Sequence, residues 1–372
     1  MTTIHKLETA EADIVYDVHG PLPTADRRPP LFMIGQPMAA SGFGTLASEL
    51  PDRTVVTYDP RGLGRSVRKD GRVDNAPAVQ ADDVHAVIEA LGAGPVEMFA
   101  SSGGEVTALA LVAAHPDDVT TLVAHEPPLI PVLPDAAAAE RARAGVRDTY
   151  EANGRGPGMA AFITMTSWQG EFAGEYFDQP PADPALFGMP TEDDGSRDDP
   201  LLSDRSWAVS SYRPDVDALA AAPTGVVVAV GEESLGTFTG RTAVATAELL
   251  GQRATVFPSH HGGFLGDDFG YAGQPEAFAR KLREVLDGGG GRPQSPGAGG
   301  RAIPTLRAGS PRRLCATVRI TRTPDSARPE NPSTHRARRT PWVCASAPAA
   351  STTPEATAPK EPASPTSARL SH

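Results

Sequence analysis

Cysteine is nearly absent. The 372 residues hold two, Cys315 and Cys344, both near the end of the chain. No disulfide framework can hold the rest together, and no Cys/His spacing of the zinc-binding kind occurs. Lysine is also scarce, four residues against thirty arginines. Long apolar runs are missing too: no stretch of about 18 apolar residues occurs, and the segment Met1 to Glu11 is acidic where a secretory leader would be apolar. These absences lead us to expect a soluble cytoplasmic protein that needs no metal and no cofactor, with no membrane partner.

What charge there is divides unevenly. The formal net charge is −12, yet the residues from Gly288 onward carry thirteen Lys and Arg against four Asp and Glu, while residues 1–287 carry 21 against 42. An acidic body excludes nucleic-acid binding by the folded part, because phosphate neutralisation needs clustered basic side chains. Residues 288–372 are Gly, Pro, Ser, Thr, Ala and Arg without helical or strand period, so burial could not offset the entropy of ordering them. We expect a disordered low-complexity tail there. Its two apolar interruptions, Leu314–Ile320 and Trp342–Cys344, are too short to build a domain.

Up to that point short apolar runs alternate with helical patterns, the signature of a mostly parallel sheet flanked by helices. The strands are expected at Ala12–His19, Pro30–Gly35, Thr54–Asp59, Val96–Ala100, Thr121–His125, Gly225–Gly231 and Ala254–Pro258. Helices are expected at Gly42–Leu50, Ala76–Leu91, Gly103–Ala114, Arg241–Gly251 and Pro275–Leu286, with apolar residues three and four apart. The fold class is therefore α/β. Between residues 135 and 222 the alternation stops and a helical segment broken by Gly, Pro and Asp takes over. From Met159 to Tyr212 it holds eight of the chain's 21 aromatics (Phe162, Trp168, Phe172, Tyr176, Phe177, Phe187, Trp207, Tyr212), as expected of a cap over an apolar pocket or of a cap with its own small core. The organisation that follows is a core in two parts, 1–134 and 223–287, a cap at 135–222 and the tail.

The most specific segment is Ala100-Ser101-Ser102-Gly103-Gly104, a turn of small residues between a strand and a helix. A nucleophile elbow needs this arrangement, because the nucleophile sits in a strained turn whose neighbours two positions away must be small for strand and helix to close. Ser102 stands at its centre. A serine nucleophile needs a general base, a group that orients the base, and donors for the oxyanion. After the last strand comes Ser259-His260-His261-Gly262-Gly263, where either histidine could serve; the glycines behind His261 favour that residue. Two adjacent histidines point apart and have no third ligand nearby in sequence, which weakens a metal reading.

With these residues in view the chain resembles the α/β-hydrolase superfamily, in particular its bacterial serine hydrolases, over about Pro30–Leu129 and Thr224–Leu286. Ile34-Gly35-Gln36-Pro37 is similar to the family's His-Gly-x-Pro oxyanion loop, with Ile34 in place of histidine, and Asp59-Pro60-Arg61-Gly62-Leu63-Gly64-Arg65-Ser66 is similar to its Asp-x-Arg-Gly-x-Gly-x-Ser turn. That turn lacks the third glycine of a dinucleotide fingerprint, since Val67 stands there. The resemblance implies an oxyanion hole of the Gln36 and Gly103 amides. It leaves the acid open between Glu126, at the end of the strand after the nucleophile helix as in certain haloalkane dehalogenases, and Glu233 or Glu232 in the loop after the next strand. A serine nucleophile disfavours dehalogenase and epoxide hydrolase chemistry.

The function expected from this reading is hydrolysis of an ester-like bond in a small-to-medium apolar substrate through an acyl-enzyme, as an esterase or lactonase, by a monomer or homodimer. Perhydrolase or haloperoxidase-like, thioesterase, carbon–carbon hydrolase and aminopeptidase activities share the same site, and a non-catalytic ligand-binding member of the fold is the alternative of a different class.

Overall fold

The computed structural model describes residues 1–267 and 272–288. Both cysteines and the expected tail, Gly288 apart, lie outside the described residues. Within them a nine-stranded sheet runs β1 (Thr2–Glu8), β2 (Ala12–His19), β4 (Val55–Tyr58), β3 (Leu31–Gln36), β6 (Val96–Ser102), β7 (Val119–His125), β8 (Gly225–Gly231) and β9 (Thr255–Phe257), with β5 (Val67–Arg68) paired to β2. The pairs from β4 through β9 are parallel, and β1–β2 and β2–β4 are antiparallel. This is the expected α/β sheet, extended at one edge by strands that the apolar pattern did not reveal.

The central strands are apolar on both faces because both faces are covered. On one side the helices Pro77–Leu91 and Gly103–Ala114 bury Val84, Val87, Ile88, Leu109 and Val112 against Phe32, Ile34, Met98 and Leu122. On the other, Phe43 and the helix Pro275–Asp287 close over Leu31, Met33 and Phe99. Phe99 meets Phe43, Phe264 and Phe278 edge-on. Burying a phenylalanine stabilises by about 1.5–3 kcal/mol, so Phe264, 1% exposed, pins the loop that carries His261 three residues earlier.

Residues 136–222 contain no strand. The helices Ala136–Asn153 and Arg155–Ser167 pack on each other and enclose their own apolar cluster, including Ala139, Val146, Tyr150, Met159, Ile163 and Phe172. Most of the segment's aromatics belong to that cluster rather than to a pocket: Trp168, Phe172 and Phe177 each stand edge-on to Tyr176, and of the eight only Phe162 lines the large cavity below. The segment's aromatic richness therefore reflects its own small core, which short helices interrupted by loops need in order to hold together.

Candidate active site

Parallel register brings the site together. Gln36 pairs with Ser102 across β3 and β6, Ser101 with His125 across β6 and β7, His125 with Ala229 across β7 and β8, and Gly231 with Phe257 across β8 and β9. The strands' carboxyl ends thus line up, and the loops that leave them converge where an open α/β sheet binds ligands. Gln36, Ser102, Gly103, Glu233, His260 and His261 all line one cavity of about 530 Å³.

Ser102 sits at the junction of β6 and the helix Gly103–Ala114 with φ 57° and ψ −131°. A serine in that conformation costs about 1–3 kcal/mol and persists only where its surroundings impose it. The two glycines after it explain how they do. A Cβ on Gly104 would lie 2.6 Å from the Gly35 Cα, and one on Gly103 would lie 2.7 Å from the Gln36 carbonyl oxygen. The helix therefore starts directly on β3, which sets the Gln36 and Gly103 backbones side by side at the expected oxyanion position. Ala100, where the family more often has glycine, is wholly buried.

Of the three candidate acids the structure brings Glu126 to the histidine. His261 Nδ1 lies 2.8 Å from Glu126 Oε2, with Glu126 wholly buried. Gly231 N–H donates to Oε1 at 2.8 Å and the Thr239 hydroxyl to Oε2 at 2.7 Å. Burial alone would push this carboxyl up, but the hydrogen bonds from His261 and the Thr239 hydroxyl and the field of His261 outweigh it and hold it well below the usual carboxylate range. Glu126 also has positive φ, 53°, as does Ser259, 72°, at the start of the histidine loop; among the described non-glycine residues the only others are Ser102 and Arg27. Three of four such residues thus cluster at one site. Glu232 Oε1 lies 3.4 Å from the Ser259 N–H, and Glu233 lines the cavity. The later loop therefore shapes the rim, and neither of its glutamates takes the place beside His261. His260 is buried, and its Nδ1 accepts from Gly262 N–H at 3.0 Å.

A family model of the α/β-hydrolase fold matches residues 37–154. Among curated proteins, the uncharacterized hydrolase YraK of Bacillus subtilis is 33% identical over 128 residues, 34% of this chain and 45% of its own. The putative carbamate hydrolase RutD of Caulobacter segnis is 36% identical over 111 residues, 30% of this chain and 41% of its own. Among solved structures, the esterase RhEst1 of Rhodococcus sp. ECU1013 aligns with a TM-score of 0.52 at 21% identity, covering 77% of this chain and 99% of that one. The chain has the α/β-hydrolase fold. It spans less than half the length of the two curated relatives.

The turn after β4 braces the loops around the site. Asp59 accepts from Ala40 N–H at 2.8 Å and from Arg65, while Arg61 is held by Asp83 at 2.5 Å and Asp70 at 2.7 Å. Behind the site lie buried polar groups that sequence reasoning did not single out. His125 is wholly buried, its ring stacked 5.9 Å from His261, and burial pushes it down to about 4, so it stays neutral. Glu105, two residues beyond Gly103 in the helix Gly103–Ala114, has neither carboxylate oxygen hydrogen-bonded; burial, reinforced by the Glu126 charge, pushes it well up. The Gln36 side-chain amide, 4% exposed, is also unbonded. The apolar setting of β6 and its helix gave no signal for these groups beyond the polar letters themselves.

Away from the cavity, His85, His115 and Asp118 are grouped closely enough to suggest a metal. The two imidazoles are stacked 3.8 Å apart and 8° from parallel. A ring nitrogen's lone pair lies in its ring plane, so two parallel rings cannot share one ion, and the cluster reads as ion-paired surface. Among the described residues no helix is long and apolar enough to cross a membrane.

Proposed function

We propose that the protein is a serine hydrolase that cleaves an ester-like bond through an acyl-enzyme. Ser102 attacks the carbonyl carbon, and His261 accepts the hydroxyl proton. With His261 Nδ1 engaged by Glu126, Nε2 is the nitrogen left to do so. The Glu126 carboxylate fixes that tautomer and stabilises the imidazolium that forms. The Gln36 and Gly103 amides hold the oxyanion. His261 then returns the proton to the leaving group, and water admitted to the cavity repeats the sequence to release the acid. Residues 135–222 serve in this reading as the lid over the site, and the core is made of 1–134 and 223–287.

The observation that carries the proposal is the convergence, at one cavity, of a strained serine and a histidine bonded to a buried carboxylate held low. A series of p-nitrophenyl esters from acetate to octanoate, with wild type and Ser102→Ala side by side, tests it. Turnover should fall at least ~10⁴-fold in the variant. No turnover by folded wild type, together with no labelling of Ser102 by a fluorophosphonate, would overturn the proposal in favour of a ligand-binding member of the fold.

A further inference from the structure

The helix Ala136–Asn153 sets one basic side chain, Arg143, on the cavity wall. Arg143 is 4% exposed. Its Nη2 donates to the Ser203 carbonyl at 3.2 Å and to the Ser206 hydroxyl at 2.7 Å, and its guanidinium lies 5.5 Å from the centre of the Trp207 ring. Nη1 is buried and meets no acceptor. No carboxylate among the described residues pairs with Arg143: Asp204, whose field reaches it, is 74% exposed and lies 3.5 Å from Arg147 instead. Arginine stays charged under ordinary conditions. A full positive charge therefore stands on the wall of the cavity without a counterion, at an expense of several kcal/mol that a neutral side chain of similar shape would avoid.

Two features say what would complete it. A guanidinium that keeps one nitrogen without an acceptor suits a planar carboxylate that reaches it, with charge-assisted bonds stronger than neutral ones. Among the described residues the one carboxylate lining the cavity, Glu233, belongs to the loop after β8, so an anionic group is repelled there and attracted at the helical wall that carries Arg143. We infer that Arg143 receives a carboxylate carried by the substrate, so that the preferred substrates are esters bearing a free carboxylate and not the wholly apolar esters expected from the sequence. The inference rests on the serine hydrolase reading, with the scissile carbonyl at Ser102 and the carboxylate directed toward the wall.

The mono-p-nitrophenyl esters of adipate, pimelate and suberate, each beside its ω-carboxamide counterpart, test this. Wild type should favour the carboxylate of a pair by about 10–10²-fold in kcat/KM, the worth of one hydrogen bond to a charged group, and mainly through KM. In Arg143→Gln the ratio should fall to near one, and in Arg143→Lys it should fall between. A purely structural Arg143 would lower both members of a pair and leave their ratio unchanged, which would overturn the inference, as would equal turnover of both members by wild type. Thermal stabilisation of Ser102→Ala by free pimelate against pimelamide separates the two proposals. Stabilisation by pimelate alone, lost in the Arg143→Gln double variant, upholds the carboxylate site even if no ester is turned over. Equal response to both overturns it. Should Arg143→Gln fail to fold, competitive inhibition of wild type by pimelate and not by pimelamide decides the matter.

Discussion

The two sides of the cavity are built on different principles. The strand-end rim is over-determined: Ser102, Glu126 and Ser259 are forced into left-handed backbone, Gly103 and Gly104 touch the backbone of β3, and the Glu126 carboxylate accepts three bonds from three separate elements. The helical wall is held by its own apolar cluster and presents side chains to the cavity, among them Phe162 and the partly bonded Arg143. In the proposed mechanism a rim so constrained fixes which atoms react. A wall whose cavity-facing side chains carry no such constraint can change what is bound without disturbing the reaction.

The largest effect that could break this division comes at the rim. Glu126→Gln should lower kcat about 10³-fold, within the range for removing the group that orients a catalytic histidine, while Glu233→Gln should cost less than ~10-fold. Pre-steady-state acylation of the same ester would show it, and the reverse ranking would move the acid to the loop after β8.

The next effect concerns the charge state of the buried groups behind the rim. The folded His125 ring gains its proton only near pH 4, against an ordinary value of 6.5. Its contribution to stability is therefore complete above pH 6.5 and is lost as pH falls to about 4, about 3 kcal/mol over that window. Urea unfolding of wild type and His125→Gln at intervals from pH 7 to 4 should give curves whose difference shrinks as the pH drops, and a constant difference would show that burial leaves the ring's affinity for a proton unchanged.

Smaller again is the backbone contact. Gly104→Ala must displace β3 or the nucleophile helix, because the atoms nearest the new methyl are the backbone of Ile34 and Gly35. A loss of about 1–3 kcal/mol is expected from such overpacking, read as a lower Tm together with slower acylation. The smallest effect tests the wall. Phe162→Ala should move the chain-length optimum of the ester series toward longer acyl groups while changing kcat less than ~10-fold, in line with the 1–3 kcal/mol that hydrophobic pocket contacts supply. Loss of all turnover there would erase the distinction between rim and wall.

The same division governs what could be read in the sequence. The helix Gly103–Ala114 and strand Gly225–Gly231 are found at the residues expected, because both are buried and their apolar pattern is continuous. Strand β1 escaped notice since its side chains are largely exposed and its existence depends on seven residues pairing with β2. Ser102 and His261 stood out through small neighbours in tight turns. Glu126 could not be separated from Glu232 and Glu233, since all follow an apolar strand; what distinguishes it is the bonds it accepts from Gly231, Thr239 and His261, more than a hundred positions away. Arg143 lies in a run with Arg141 and Arg147, and only the helical spacing it shares with Ala139, Val146 and Tyr150 hints that it alone of the three is buried.

Because the carboxylate that meets His261 directly follows β7 and does not lie in the loop after β8, the proposed serine, amide donors and acid are all encoded before residue 127, and the wall intervenes between them and the histidine alone. A chimera that exchanges the segment between Pro134 and Ala222 for a foreign one therefore carries three of the four parts in a single uninterrupted piece, and only the return of one imidazole has to survive the transplant.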